Sequence, residues 1–376
     1  MKILIFGEFS SFSKNLSAGF RGLGHDCFVF STGDGFKKIQ QDGKGFLVKQ
    51  PNERKLPYPL RGILYRCECF LAYLRLMRFV SQMSKKKEWD VALLVNANFI
   101  KTKWWQNGFT KNMLLGLLKD PSNIFLSSCG GDAPFYDYWG KQNWKNKKMV
   151  DLMKSKYLSA SGIRHFYYCS TFINKVIPVT YAYAQAWRNS NFAKSFKVLH
   201  TIPLPVDTSK FNPFNEINGK IVVFHGIIRP ETKGTPYIVE AMNRLQENYP
   251  DKVECIAKGG MPLEEYLEVM NRANILIDQT YASSSGMNAL YALAKGKVLL
   301  GGNEPENSVE YDYPNIPIIN IGPDSTQIFR ELERLVLNPE KIIYLSKEGR
   351  TYVEKIHDSK VIAQKYIDAF GSVSAI

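Results

Sequence analysis

Histidine and cysteine are few and scattered in this chain of 376 residues, and their scarcity excludes several kinds of chemistry. The six cysteines, Cys27, Cys67, Cys69, Cys129, Cys169 and Cys255, include no C-x-x-C pair. That spacing suits neither a zinc site nor a disulfide framework, and it fits a reducing, cytoplasmic compartment. The five histidines show no ligand spacing, so no metal site is expected. No stretch reaches about 18 uninterrupted apolar residues, the length a membrane-spanning helix needs. The apolar run before Gly7 is too short for a signal peptide. Short repeats and low-complexity tracts are also missing, which excludes solenoids and disordered arrays. Acid is in short supply in the first half. Residues 1–200 carry 31 Lys and Arg against 12 Asp and Glu, a balance of +19, whereas residues 201–376 carry 18 against 23, a balance of −5.

What is present is an ordinary globular composition, 45% hydrophobic, in a chain long enough for two cores. The charge split suggests two domains with different partners. The basic half suits anionic lipid, nucleic acid or an acidic substrate, or is simply a solvated face. No recognised motif supports nucleic acid. Residues 54–87 concentrate the charge, with Arg54, Lys55, Arg61, Arg66, Arg75, Arg78, Lys85, Lys86 and Lys87 around an apolar stripe at Ile63, Cys67, Phe70, Leu74 and Met77. The helical spacing of that stripe predicts a core-facing side, leaving the flanking charges to meet a membrane.

Apolar strand-like runs alternate with helical periods. KILIF, CFVF, VALLV, IFLSS and KVIPVT read as strands, with helical patterns at about 14–23, 60–84 and 110–118 and at YAYAQAWR. The second half restarts the pattern: KIVVFHG (220–226) echoes KILIFG (2–7), and VECIA, ILIDQ, VLLGG and IPIINI alternate with further helices. This predicts two tandem Rossmann-like, doubly wound α/β domains with parallel sheets. The segment PVDTSKFNPFNEINGK (205–220), rich in Pro and Asn, marks the boundary.

Ligands of such sheets sit beyond the carboxyl ends of the strands, at the switch point. HGIIRPETKG (225–234) lies at such an end. Gly226 is expected to turn the chain, Thr235 to cap the next helix, and Arg229 and Lys233 to reach the crevice. Arg binds phosphate with two parallel bonds and Lys adds a point charge, so a diphosphate fits. The alternative is a pair of solvated loop cations. In YASSSGMNALYALAKGK (281–297) the N–H groups of Gly286, Met287 and Asn288 open a helix, an anion site or an ordinary Ser-capped start. SSCGGDAPFYDYW (127–139) places Gly130, Gly131 and Asp132 at another strand end. Asp132 is either a ligand-facing carboxylate or part of a tight Gly turn. The aromatics Phe135, Tyr136, Tyr138 and Trp139 make a sugar-stacking wall or core. In GGNEPEN (301–307), Glu304 and Glu306 are hydroxyl-binding rim residues or surface acids.

Taken together, these segments resemble a family 4-type glycosyltransferase of the GT-B fold. GFRGLGHDCFVFSTGD (19–34) is similar to the family's first helix and second strand, IPLPVDTSKFNP (202–213) to its interdomain linker, and HGIIRPETKG to its donor segment. ANILID and SGMNALYALAKGKVLLGG follow the donor-helix pattern, and EKIHDSKVIAQKYIDAF resembles the closing helix. Asp132 matches the Asp of a G-x-D turn, and MNALYA with GG-x-E-P-E is similar to bacterial surface-polysaccharide enzymes. The resemblance implies an acceptor domain at 1–204, with Gly7, Gly131 and Asp132 on its wall, joined by a crossing helix at about 360–376. It implies a donor domain at 205–359, with Gly226, Arg229, Lys233, Gly286, Met287, Asn288, Glu304 and Glu306. Asp132, Arg229 and Lys233 would take the catalytic roles. The implied reaction moves a sugar from a nucleotide sugar to a glycan or lipid-linked acceptor, with retention and without metal or other cofactor, at a cytoplasmic or peripheral membrane site.

The chain departs from that pattern in four places, one of them a shortened strand-and-loop region after AKGGMP where the family meets the base. Ser283 and Tyr291 stand where the family has two glutamates, and Cys129 stands where it often has His. Ser283 and Tyr291 keep open a degenerate partner subunit, which the retention of Arg229 and Lys233 opposes; a GT-B sugar-nucleotide epimerase is a separate alternative that would want carboxylates and a His around the sugar carbon.

Overall fold

The computed structural model describes residues 1–31, 39, 56–84, 87–97, 109–142, 150, 154, 157–173, 175–227 and 230–371. Arg54, Lys55, Lys85, Lys86 and Arg229 therefore lie outside the described residues.

The first sheet contains β1 (Lys2–Phe6), β2 (Asp26–Phe30), β3 (Val91–Val95), β4 (Ile124–Ser128), β5 (Lys175–Pro178) and β6 (Lys197–Val198). The order is β2-β1-β3-β4-β5-β6, parallel throughout. Helices α1 (Phe12–Gly22), α2 (Tyr58–Ser84), α3 (Phe109–Leu117), α4 (Ala133–Trp139), α5 (Ala160–Ser170) and α6 (Tyr181–Asn189) connect the strands. VALLV and IFLSS are buried at every position. That is why VALLV reads as an unbroken apolar run rather than an alternating one, and why even the two serines that end IFLSS are buried: parallel strands are covered on both faces.

The second sheet holds β7 (Ile221–Ile227), β8 (Val253–Gly259), β9 (Ile275–Ile277), β10 (Val298–Gly301) and β11 (Ile319–Asn320), in the order β11-β10-β9-β7-β8 and again parallel. Its helices are a single turn α7 (Pro230–Lys233), then α8 (Thr235–Asn248), α9 (Leu263–Arg272), α10 (Met287–Ala294), α11 (Glu306–Glu310), α12 (Ser325–Leu337) and α13 (Pro339–Tyr352). A π-helical turn over Val353–His357 leads into α14 (Ser359–Gly371). Both sheets share one topology. The first strand of each has the second on one side and the third on the other, which puts the switch points between β1 and β3 and between β7 and β9.

The chain returns to the first domain through α14. Val206 N–H donates to His357 O at 2.7 Å and Ser359 N–H to Val206 O at 2.8 Å. The backbone at Ser359 presses on α1 where Gly19 has no side chain, since a Cβ there would overlap the Ser359 carbonyl. Phe20 of α1 packs on Tyr366 and Phe370, and the Tyr366 hydroxyl shares a hydrogen bond of 2.9 Å with Ser127 Oγ. Arg188 of α6 makes a two-pronged ion pair with Glu310 of α11, each contact 2.8 Å.

Three local expectations are corrected. Gly226 does not turn the chain, because it lies inside β7; a Cβ there would come within 2.6 Å of the Tyr266 ring, so glycine admits that ring against the strand. The N-cap of α8 is Gly234, in the left-handed region at φ 71°, not Thr235. The stripe of α2 does not face the core: Ile63, Cys67, Phe70 and Leu74 are exposed.

Candidate functional site

Asn15, one turn into α1, donates Nδ2–H to the hydroxyl of Tyr291, one turn into α10, at 2.9 Å. Helix α1 leaves the carboxyl end of β1, and α10 follows the carboxyl end of β9. Contact between their first turns brings the two switch points together, and sheets of this kind bind ligands in the crevice at a switch point.

On the second-domain wall, Lys233 ends the single turn α7. It is 8% exposed, and its Nζ lies 2.6 Å from Asp278 Oδ1. Asp278 directly follows β9 and also accepts from Asn288 Nδ2 at 3.4 Å. Asn288 in turn accepts from the Tyr266 hydroxyl at 2.6 Å. His225, wholly buried in β7, bridges Ile277 O and Thr235 Oγ1 at 2.9 and 3.0 Å, fixing the start of α8 against β9. Burial lowers the His225 pKa, which favours the neutral ring. Gly234 sits so close to Thr280 that a Cβ would overlap the threonine hydroxyl. Lys233 is therefore held at the strand end by a dense polar frame. Its charge is balanced by Asp278, so a net positive cradle depends on further donors.

The start of α10 supplies some of them. Its N-cap is Gly286, and no side chain caps it. The serines before it turn elsewhere: Ser284 Oγ donates to Asn307 Oδ1 at 2.6 Å and Ser285 Oγ to Gly302 O at 3.1 Å. A Ser-capped helix is thus overturned, and the N–H groups from Gly286 onward are left for another acceptor. Space around Gly286 is open, with no heavy atom within 4 Å of an ideal Cβ. Met287 is buried, and Asn288 carries the polar contacts.

Glu304 lies on the loop braced by Ser283 and Asn307, and Glu306 opens α11 just after it. Glu304 N–H donates to Ser283 O at 3.1 Å and Asn307 Nδ2 donates to the same carbonyl at 2.6 Å. The Glu304 carboxylate accepts from Asn320 at 3.4 Å. Across the cleft, burial first and then the charge of Glu306, with smaller contributions from Glu304 and Glu310, raise the Tyr181 pKa. The rim acids therefore lie within electrostatic reach of Tyr181.

On the first-domain wall, Gly7 (φ 102°) ends β1, Asn96 (φ 69°) ends β3 and Gly130 (φ 87°) follows β4. Asn96 Nδ2 donates to the carbonyls of Cys129, Gly130 and Gly131 at 2.9, 3.1 and 3.3 Å. Ser10 and Ser11 are also left-handed, at φ 53° and 71°. Backbone in this region costs energy in a non-glycine residue, and such positions gather at binding sites. Gly131 leaves room for the Tyr136 hydroxyl.

Asp132 requires a correction. It does not point into the cleft; it is 1% exposed and caps α4, accepting from Phe135 N–H at 3.0 Å. Its other oxygen accepts from Trp187 Nε1 at 3.0 Å and Ser128 Oγ at 3.3 Å. Burial pushes its carboxyl up to about 6, against the pull of these bonds. Of the aromatics after it, Phe135 and Tyr136 are core, while Tyr138 and Trp139 are half-buried.

The sequence reading missed Asp278, Asn288's polar partners, Asn96 and Asn15. Asp278 was findable by the strand-end rule that singled out Lys233, because it follows ILI directly. Tyr291 accounts for one departure from the family pattern: it stacks near Phe211, centroids 5.4 Å apart, and ties the two domains together. Among the described residues, no three His, Cys, Asp or Glu side chains gather as a metal-binding group.

No protein-family model matches the chain, and no curated protein matches it. Solved structures do. A sucrose-phosphate synthase from Thermosynechococcus elongatus superposes with a TM-score of 0.61 at 13% identity, covering 100% of both chains. Anabaena HepE, solved in complex with UDP and glucose, gives 0.57 at 12% identity over 99% of this chain and 100% of that one. A glycosyltransferase from Rickettsia africae gives 0.57 at 13% identity over 99% and 97%. The chain has the GT-B architecture over its full length: two parallel α/β sheets in tandem, closed by a helix that crosses back to the first.

Proposed function

We propose that this chain is a nucleotide-sugar-dependent glycosyltransferase, with the donor on the second domain and a glycan or lipid-linked acceptor on the first. The observation that carries the reading is the meeting of the two switch points, with Lys233 and the uncapped start of α10 on one wall. Fold alone does not carry a function, but the chemistry of that wall is specific. In sugar transfer the bond from the anomeric carbon to the diphosphate breaks, and negative charge grows on the leaving oxygens. Donors already in place at that point lower the barrier. Lys233, Arg229 and the N–H groups at Gly286, Met287 and Asn288 are those donors, and the helix dipole adds to them. Asp278 holds the Lys233 ammonium at the strand end until a diphosphate competes for it. Glu304 and Glu306 take sugar or ribose hydroxyls. Gly226 serves by admitting Tyr266, which orients Asn288.

On the acceptor side, Gly7, Asn96, Gly130 and Gly131 form the wall, and Asp132 acts as a positioning residue that anchors the turn. We take the transfer to be retaining and to need no metal, as the family resemblance implies. The first test is thermal stabilisation by a panel of nucleotide sugars, beginning with UDP-glucose, the ligand of a HepE complex. A ligand at 100 times its dissociation constant adds about 2.7 kcal/mol. No stabilisation by any nucleotide sugar would overturn the reading.

A further inference from the structure

Helix α2 is 27 residues long, and among the described residues one of its faces packs on the first-domain core. Cys69, Ala72 and Val80 are buried in the first-domain core, with Tyr65, Phe79 and Met83 packed beside them. The opposite face is apolar and exposed: Leu60, Ile63, Leu64, Leu71 and Leu74 are 41–56% exposed. With exposed Cys67 between Leu64 and Leu71, they recur about every three or four residues and form one stripe, about 21 Å long at 1.5 Å per residue. A surface helix of a water-soluble protein carries polar residues on that side. A contiguous apolar patch marks a contact. Exposed Arg66, Arg75 and Arg78 flank the stripe or continue it toward the C-terminal end.

Charge identifies the occupant. Residues 1–200 carry a balance of +19, so a second copy of the chain would bring like charge against like charge at this face. No described helix is long and apolar enough to cross a membrane. An anionic bilayer surface satisfies both halves of the pattern, with apolar side chains below the phosphates and arginines among them. We propose that α2 lies in the plane of an anionic lipid surface with this apolar face inserted, tethering the first domain there. This deepens the glycosyltransferase reading, on which it rests only for its purpose, by presenting the acceptor domain to a lipid-linked acceptor. Insertion differs from attraction by surface charge alone in resisting salt.

The test is co-sedimentation of the full chain with phosphatidylcholine vesicles, with and without phosphatidylglycerol, at low salt and at about 1 M salt, where screening shortens to about 3 Å. The expected result is binding to the anionic vesicles with a bound fraction that survives high salt. A variant carrying Ile63→Ser, Leu71→Ser and Leu74→Ser should partition at least roughly tenfold more weakly. One carrying Arg66→Gln, Arg75→Gln and Arg78→Gln should lose the preference for phosphatidylglycerol. All six positions are exposed, and thermal unfolding checks that both variants fold. A wild-type chain that ignores the anionic vesicles, or a serine variant that binds as well as wild type, overturns the proposal. So does a wild-type dimer that the serine variant converts to monomer, since the face would then join two copies. Donor stabilisation is read separately: vesicle binding without any nucleotide-sugar response would sink the enzyme reading and leave the surface standing.

Discussion

Lys233 Nζ sits 2.6 Å from Asp278 Oδ1, and both side chains are almost fully buried. The pair joins the end of the turn after β7 to the end of β9, across the switch point of the second sheet. Removing one partner of a buried pair leaves an uncompensated charge and costs about 3–5 kcal/mol, whereas replacing both with apolar groups is often neutral. Asp278→Ala should therefore lower the melting temperature sharply, and the double variant Lys233→Met with Asp278→Leu should recover it. Transfer should not recover. Losing the ammonium from the leaving group is expected to cost about 2–4 kcal/mol of barrier. A double variant that is stable and fully active would remove Lys233 from the mechanism.

Tyr291→Phe keeps the ring against Phe211 and deletes the hydroxyl that meets Asn15. We expect a stability loss of about 1 kcal/mol, the usual value of one hydrogen bond, with donor affinity unchanged. If calorimetry instead shows a donor dissociation constant raised tenfold or more, Tyr291 touches the nucleotide.

Two buried groups titrate with opposite signs in the same acid window. The folded pKa of Asp132 is raised to about 6 by burial. Its contribution to stability is full below the unfolded value of about 3.9 and is lost as pH rises through 6. Asp132→Asn keeps an N-cap that does not titrate, so the variant should gain on wild type as pH climbs from about 4 to 6. His357 behaves in reverse. It lies at the start of the return to the first domain, bonded to Leu204 O and the Tyr352 hydroxyl, and burial lowers its pKa to about 4. Its contribution is present above the unfolded value of about 6.5 and is lost as pH falls toward 4. His225, also lowered, adds to the same trend. Melting curves of His357→Gln across this range should show a weaker acid loss than wild type; an unchanged slope would show that His357 does not control it.

Transfer should continue after exhaustive dialysis against EDTA, because Lys233, Arg229 and the α10 N–H groups supply the positive end of the donor site in the proposed mechanism. Abolition by EDTA, with rescue by Mg²⁺ or Mn²⁺, would place a metal on the diphosphate.

Local sequence determined the elements and their order. An unbroken run such as VALLV specifies a strand covered on both sides, and the echo of KILIFG in KIVVFHG specifies a second unit of the same kind. The strand-end rule is what singles out Lys233, Gly286 and the rim glutamates as candidates, because ligands of such sheets sit beyond the strand ends. Only the tertiary structure decided which neighbour each side chain meets. Asp132 reads as an exposed acid in a glycine turn until Trp187, 55 residues away, closes over it. Tyr291 reads as a lost glutamate until Asn15, 276 residues away, takes its hydroxyl. The stripe of α2 reads as core because helical spacing records that an apolar face exists but not what covers it. Which face is buried depends on contacts between residues far apart in the chain, and a local period carries no information about them.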